Sequence, residues 1–365
     1  MGVEGTNANH HRSRWAPAVA VGAIAVLVAG VGLAIAAAQH PQSPVVPPPP
    51  PKASATPSPF PTPPAAGPVT ASGPSVADDP ATHRVVLFGG VDSTNKTWLW
   101  DGRHWTSTTP PSSPPNRAGA AAAYDPATRV VMLFGGSGPT LGQVAQLFND
   151  TWAWTGSTWR RLNSGGVHGP PIGDGAQMAW DDTRQQMILV TYAGTSTAAE
   201  TWTWDASGWR YQPNGNIAAI AFGVMAYDPA SHAVVRVSPL IGDNSHSATF
   251  SWNGSSWHAI VTDGPEVDGI AVDPLGNDLE ACGSSTYSTA FAVHASCWQW
   301  TGINWIPAQT SLPSAAARSV TIEAEVDDVD RAQLLIIGWL VPPIQNEAQP
   351  LYVWAWDGDT WTLLA

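Results

Sequence analysis

The chain has 365 residues and a formal net charge of −13 at pH 7. All its acidic residues except Glu4 lie beyond residue 70. An acidic surface repels a phosphate backbone, which excludes nucleic acid as a predicted partner. Trp is the compositional anomaly, since 20 copies indicate that a Trp-containing unit recurs along the chain.

The first predicted element is a membrane-spanning helix over residues 16–38. This segment contains no charged residue and exceeds the roughly 20 residues that cross a bilayer. Arg12 and Arg14 precede it, whereas Lys52 is the first basic residue after it. The positive-inside rule therefore predicts a single-pass protein of the cell membrane with a cytoplasmic N-terminus. A cleaved signal peptide is the alternative, because residues 36–38 are small, and it exports the same remainder.

The second predicted element is a linker over residues 39–70. Its many Pro residues rule out a helix or a central strand and favour a disordered, polyproline-like chain. A stalk that holds the next domain away from the membrane and a spacer of no fixed length both fit this composition.

A repeated aromatic motif follows the linker. Each copy has two aromatic residues separated by one residue, then a short turn, then a further Trp. The copies span residues 98–105, 152–159, 202–209, 250–257, 298–305 and 354–361. Their period of about 50 residues is typical of propellers. Residues i and i+2 of a strand share a face, so the motif predicts a hairpin with an aromatic cluster on one side.

A second shared pattern lies upstream of each motif. An Asp that marks a turn precedes an apolar stretch in every unit, as at Asp79 and Asp125. The predicted order is strand a, an Asp turn, strand b, a variable loop, strand c with the aromatic pair, a tight turn and strand d. Four strands per unit is the propeller pattern. His83 and His232 align with Arg129 after the Asp turn and are interpreted as turn residues.

The strongest unit carries a family resemblance. An apolar stretch ends in Gly135-Gly136, Asn-Asp-Thr-Trp follows at residues 149–152, and a turn leads to Trp159. This pattern resembles the kelch repeat of the galactose-oxidase-like propellers over residues 71–365. The resemblance implies an all-β fold, a six-bladed kelch-like β-propeller preceded by one transmembrane helix and a Pro-rich linker. The predicted segments are a cytoplasmic tail at 1–15, the helix at 16–38, the linker at 39–70 and the propeller at 71–365.

The resemblance also implies where a ligand binds. In kelch-like propellers the b–c and d–a connections share one face, and ligands of the family meet that face. Loops are also where binding residues concentrate on a rigid scaffold. Each residue could equally be a solvated loop residue, but as a set they form the candidate binding site. The set is Gln143, Gln146, His168, Asp174, Asp243, Asn244, His246, Tyr287, His294, Gln345, Asn346 and Glu347.

No catalytic residue, metal or cofactor is predicted. Copper-radical oxidases of this superfamily need two His, two Tyr and a Tyr–Cys crosslink, but Tyr124 and Tyr227 occupy a repeat-equivalent apolar position. In the acidic run of the last unit, Glu323, Glu325 and Asp327 alternate on one strand face and Asp328 lies at the Asp turn. The run is interpreted as a solvated turn rather than a Ca²⁺ site. A non-catalytic module that binds a protein or glycan at the cell surface is therefore expected. A carbohydrate-active enzyme of epimerase or lyase type is the alternative.

Cys282 and Cys297 are the two Cys of the chain and are predicted to form a disulfide. Export places them where such a bond persists. When the units are aligned, Cys282 takes the place of Phe88 and Cys297 that of Thr97. These two positions should face each other across neighbouring strands, close enough to be bridged after a small local adjustment. Two free thiols packed as small apolar groups are the alternative.

Overall fold

Six successive chain segments each form a four-stranded antiparallel sheet, and the sheets are the blades of a β-propeller. The computed structural model describes residues 67–70, 72–91, 95–141, 144–166, 168–171, 175–192, 199–205, 207–217, 223–240, 243–285, 294–308, 320–340 and 349–365. Among these residues the one helical element is a 3₁₀ turn, Val329–Arg331. None of them forms a helix with the length and apolarity to cross a bilayer, and the predicted span 16–38 lies outside them.

Strands a to d follow one another along the chain in every blade. Blade one has Ser75–Asp79, Arg84–Phe88, Thr97–Trp100 and Trp105–Thr108. Blade two has Ala121–Asp125, Val130–Phe134, Thr151–Trp154 and Trp159–Asn163. Blade three has Gln177–Asp181, Gln186–Tyr192, Ala199–Trp204 and Trp209–Ile217. Strand a of blade one begins at Ser75, directly after Gly73 and Pro74, because these two residues disfavour a strand.

The remaining blades have the same order. Blade four has Val224–Asp228, Ala233–Leu240, Asp243–Trp252 and Trp257–Gly264. Blade five has Gly269–Asp273, Asp278–Ser285, His294–Trp300 and Trp305–Pro307. Blade six has Val320–Asp328, Gln333–Leu340, Tyr352–Trp356 and Trp361–Leu363. Blade two also carries a hairpin between strands b and c, formed by Ser137–Leu141 and Val144–Leu147.

The aromatic motif forms the predicted hairpin. The second aromatic residue of strand c stands directly opposite the first Trp of strand d in all six blades, as Trp100 opposes Trp105. The ring centroids of these pairs are 5.0 to 5.6 Å apart, within the range of favourable aromatic contacts. Strands b and c contribute to apolar clusters shared by adjacent blades, and Trp154 is fully buried in the cluster between blades one and two.

The turn between strands a and b is also built alike in the six blades. A residue other than Gly has a positive φ in each turn: His83, Arg129, Gln185, His232, Asn277 and Ala332. This confirms the prediction that His83 and His232 are turn residues. The Asp that ends strand a fixes the turn, since Asp125 accepts the hydroxyl of Thr128 at 2.6 Å.

Contacts between blade six and the start of blade one close the ring. The short strand Val69–Thr70 pairs antiparallel with Gln349–Pro350, just before strand c of blade six. The amide of Gly73 also donates to Glu323 Oε2 at 2.8 Å. Each blade nevertheless takes its four strands from one continuous stretch of chain, so no blade is shared between the two ends.

Candidate functional site

The b–c and d–a connections lie at the same end of every blade because strands a to d alternate in direction. Among the predicted site residues with described side chains, Gln146, His168 and His246 are all exposed. His246 Nε2 lies 3.2 Å from Asp263 Oδ1 within blade four. Asp243 and Asn244 begin strand c of blade four, and His294 begins strand c of blade five.

The other predicted site residues are Gln143, Asp174, Tyr287, Gln345, Asn346 and Glu347, which lie outside the described residues. The predicted set as a whole therefore stays a prediction. Of its three described side chains, His168 lines a cavity at this face, and Gln146 and His246 are not among the residues that line it.

This cavity lies between blades two and three and has a volume of about 500 Å³. One wall is the d–a connection that carries His168, and the other is the start of strand c of blade three, with Glu200 and Trp202. Trp202 donates its indole N–H to Glu200 Oε2 at 3.1 Å, which orients the carboxylate beside the indole. The described lining residues are Asn149, Gly166, His168, Gly169, Pro171, Glu200 and Trp202.

Asn149 holds the d–a connection in place. Its side-chain amide donates to the carbonyl oxygens of Gly166 and Pro170, both at 3.1 Å. The d–a connection passes close to the Asn149 side chain at Gly165, where an added Cβ atom would lie 2.0 Å from Asn149 Oδ1. Gly165 also has a positive φ of +78°. Gly is therefore required at 165, and the wall that presents His168 is fixed by Asn149.

Sequence reasoning found His168 but missed Asn149, Glu200 and Trp202. The signal was present, since Asn149 begins the Asn-Asp-Thr-Trp motif and Glu200-Thr-Trp202 is its counterpart in blade three. These residues were assigned to the repeat and not to the site. The structure brings together two segments that lie about 30 residues apart in sequence and in different blades, as neighbouring propeller repeats do.

A second polar feature is the central channel, which is lined by strand a of each blade. Two cavities along it, of about 320 and 210 Å³, have no Lys, Arg or His among their described lining residues. Five acidic residues from blades one, five and six are among the lining residues: Asp78, Asp268, Glu323, Glu325 and Asp327.

Burial dominates the electrostatics of these channel carboxylates. Desolvation raises the pKa of Asp78 to about 8, with the negative charges of Asp327, Asp328 and Asp330 adding to it. Desolvation likewise raises the pKa of Glu323 to about 7 and that of Asp327 to about 6. These groups hold protons at a pH where an exposed carboxyl would have lost them.

The prediction that Glu323, Glu325 and Asp327 lie on a strand is confirmed, but the expectation that the acidic run is solvated is wrong for them. They lie inside strand a, Val320–Asp328, and are partly buried against the channel. A bulge between Ile322 and Ala324 shifts the strand register at Glu323, and such a bulge redirects the side chains beyond it. Glu325 Oε2 accepts the amide of Cys282 in blade five at 3.0 Å.

One group of described residues is close enough together to consider as a metal site: Glu280, Cys282 and Cys297. Both sulfur atoms belong to the Cys282–Cys297 disulfide, and a metal requires the free thiolate. This group therefore does not fit a metal ion. The predicted disulfide is confirmed, and the two Cys are direct partners of strands b and c with a Cα–Cα distance of 4.1 Å.

These features define the protein as a six-bladed β-propeller with an open cavity between two blades at its b–c and d–a face. The structure of YjhT aligns with a TM-score of 0.55 at 13% identity, over 82% of this chain and 99% of that one. An arginine-to-alanine triple variant of AofleA from Arthrobotrys oligospora aligns with a TM-score of 0.50 at 14% identity, over 80% and 85%. At these identities the likeness shows the fold alone. No family model matches the sequence, and no curated protein matches it either.

Proposed function

We propose that this protein is a membrane-anchored, extracytoplasmic kelch-like propeller that binds a protein or glycan at the cell surface without catalysis. The observation that carries this proposal is the cavity between blades two and three, which lies at the face of the b–c and d–a connections and is lined by His168. Its volume of about 500 Å³ falls within the range of small-ligand sites.

The lining of the cavity supports recognition of a partner. An indole, a carboxylate, an imidazole and an amide line it, from Trp202, Glu200, His168 and Asn149. Aromatic walls with a few fixed polar groups are typical of binding pockets. The bonds from Asn149 to the d–a connection and from Trp202 to Glu200 fix two of the walls before a partner arrives, which lowers the entropic cost of binding.

The carboxylates with raised pKa support binding over catalysis at this cavity. Asp78 and Glu323 lie in the channel, where Asp78 is buried and Glu323 accepts a hydrogen bond from Gly73, and neither they nor Glu280 line the cavity of His168. The anchoring part of the proposal comes from the uncharged segment 16–38 with Arg12 and Arg14 before it.

The test uses a variant that fills the cavity. His168→Trp places a large side chain at an exposed position of the cavity wall, and His104→Trp makes the same change at the exposed c–d turn of blade one, on the opposite face. Binding of the full-length protein, in mild detergent, is measured to envelope fractions of its own cells. The fractions are left untreated, digested with protease or oxidised with periodate.

We expect His168→Trp to weaken binding at least tenfold and His104→Trp to leave it unchanged. Sensitivity to protease or to periodate identifies a protein or a glycan partner. Unchanged binding by His168→Trp would overturn the assignment of the cavity. Turnover of a sugar by the purified protein, lost in His168→Trp, would establish the carbohydrate-active alternative instead.

A further inference from the structure

Blades two and three carry equivalent carboxylates at the start of strand c. Asp150 and Glu200 each stand two residues before the first Trp of their motif. Trp152 donates its indole N–H to Asp150 Oδ2 at 2.8 Å, and Trp202 does the same to Glu200 Oε2 at 3.1 Å. The repeat therefore builds the same indole-bound carboxylate twice.

In blade two the chain itself supplies the cations for this carboxylate, the buried Arg117 and, with Nη2 at 3.6 Å from Asp150 Oδ2, the more exposed Arg161, whose register position in blade three is held by Tyr211. Arg117 Nη1 lies 2.6 Å from Asp150 Oδ1, and Nη2 lies 3.3 Å from Oδ2. Nη1 also donates to the carbonyl oxygen of Gly135 at 2.8 Å, and the guanidinium carbon lies 4.1 Å from the ring centroid of Phe148. The Arg117 side chain is fully buried. In blade two, the group that the fold places against the indole-bound carboxylate is therefore a guanidinium.

In blade three, within the described part of the chain, no Lys or Arg lies against Glu200 as Arg117 lies against Asp150. Glu200 lines the cavity of about 500 Å³, and no Lys or Arg is among the described lining residues. Gly173 stands at the same distance before Asp181 as Arg117 does before Asp125, so the repeat has no side chain at the matching position. Segments 172–174 and 193–198, which adjoin the site in sequence, contain no Lys or Arg.

We propose that the cavity between blades two and three binds the guanidinium group of an Arg side chain on a protein partner, with Glu200 as its counter-charge. This rests on the proposed function of the same cavity and names the chemistry that it recognises. A carboxylate already fixed by an indole N–H has an oxygen left to accept a charge-assisted bond from the guanidinium. The net charge of −13 favours the approach of a basic surface.

The direct test compares a charged and a neutral ligand of nearly the same shape. Acetyl-Gly-Arg-Gly-amide and its citrulline counterpart are titrated into the full-length protein by calorimetry and ligand-observed NMR. We expect the citrulline peptide to bind at least tenfold more weakly than the Arg peptide. Glu200→Gln, which keeps an acceptor for Trp202, should lower affinity for the Arg peptide at least tenfold.

Asp359→Asn is the matched control, because it removes one negative charge at an exposed turn on the opposite face. It should bind the Arg peptide like the unaltered protein. Equal binding of the two peptides, or unchanged binding by Glu200→Gln, would overturn the inference. A glucosamine trisaccharide that binds more tightly than the Arg peptide would also overturn it, in favour of an amino-sugar site.

The envelope-binding experiment separates the two proposals. If His168→Trp abolishes envelope binding while the Arg peptide fails to bind, the cavity is a binding site and only its proposed chemistry is wrong. If the Arg peptide binds through Glu200 but envelope binding survives His168→Trp, the cation site stands and the proposed cellular role falls.

Discussion

Trp159 of blade two donates its indole N–H to Thr97 Oγ1 of blade one at 2.8 Å. The same bond joins the next three pairs of blades: Trp209 to Thr151, Trp257 to Thr201 and Trp305 to Thr249, at 2.8 to 2.9 Å. Because the Thr directly precedes the aromatic pair of strand c and the Trp begins strand d, each bond fixes one blade against the next.

The two remaining junctions lack the Thr. Cys297 occupies its place in blade five and Val353 in blade six. The strand-d Trp residues that follow them, Trp361 and Trp105, have a buried indole nitrogen without a hydrogen-bond partner. A buried donor left unpaired costs about 1–3 kcal/mol, so these two junctions are weaker than the others by this contact.

Thr97→Val should therefore lower the free energy of unfolding by about 1–3 kcal/mol, because it leaves the buried indole N–H of Trp159 without an acceptor. The matched change in the opposite direction is Val353→Thr, which gives Trp105 an acceptor and should raise stability by about 1 kcal/mol. Denaturant melts of both variants check this. A loss of stability in Val353→Thr would show that the new hydroxyl does not reach the indole.

Replacing one partner of the Arg117–Asp150 ion pair should lower the free energy of unfolding substantially. Both side chains are buried, so Arg117→Met leaves Asp150 with only the half-exposed Arg161 at 3.6 Å as a cation and should cost up to about 3–5 kcal/mol. Arg117→Met with Asp150→Asn should recover part of this, because Asn still offers an acceptor to Trp152. A double-mutant cycle measures the coupling, and additive losses would mean that the two side chains act independently.

The channel carboxylates predict that stability falls as pH rises from about 5 to 8. A carboxyl whose pKa is raised on folding binds more protons in the folded state than in the unfolded chain. Its contribution is complete below the unfolded pKa, near 4, and is lost as pH rises through the folded pKa. For Asp78, Glu323 and Asp327 the folded pKa is about 8, about 7 and about 6.

Asp78→Asn should accordingly raise the melting temperature at pH 8 by about 2–4 °C or more, the shift that about 1 kcal/mol gives in a domain of roughly 150–250 residues. It should have little effect at pH 5, where Asp78 is already protonated. Asp359→Asn, at an exposed turn, serves as the control. A melting temperature that rises between pH 5 and 8 would contradict the electrostatics of the channel.

The limits of the sequence prediction follow from where its information lies. Trp100, Asp125 and their counterparts recur with a period of about 50 residues, so the six blades and the strand register could be predicted. Glu200 could not be assigned to a site, because its role depends on the missing counterpart of Arg117 and on a d–a connection held by Asn149. The hydrogen bond from Cys282 to Glu325 lies beyond a bulge at Glu323, which no residue pattern predicts.

The topology prediction depends on segment 16–38 and lies outside the described residues. An alkaline phosphatase fused after Ala365 should be active, because the positive-inside rule places this end outside the cytoplasm. A reporter that works only in the cytoplasm should be silent at the same position. The reverse pattern would contradict both the orientation and the proposed cell-surface role.

The Cys282–Cys297 disulfide constrains the chain but occupies the position of a Thr that bonds the next blade in other units. It closes a loop with a sequence separation of 15, which the chain-entropy model values at up to about 3 kcal/mol. The bond also places Cys297 at the position where four other blades have a Thr that accepts from the strand-d Trp of the next blade. Trp361, the strand-d Trp next to Cys297, therefore lacks this acceptor. Cys282→Ala with Cys297→Ala should therefore cost about 2–3 kcal/mol, whereas Cys282→Ala with Cys297→Thr should lose about 1 kcal/mol less.

Denaturant melts of the two double variants measure this difference, and the unaltered protein under reducing conditions provides the reference. If the two double variants are equally stable, Trp361 does not bond a hydroxyl at position 297, and the Thr–Trp contact is not general to the ring. Mass spectrometry of the exported protein, alkylated without reduction, should find neither Cys modified. Two alkylated Cys residues would show that the pair stays reduced outside the cytoplasm, against the expected oxidising compartment.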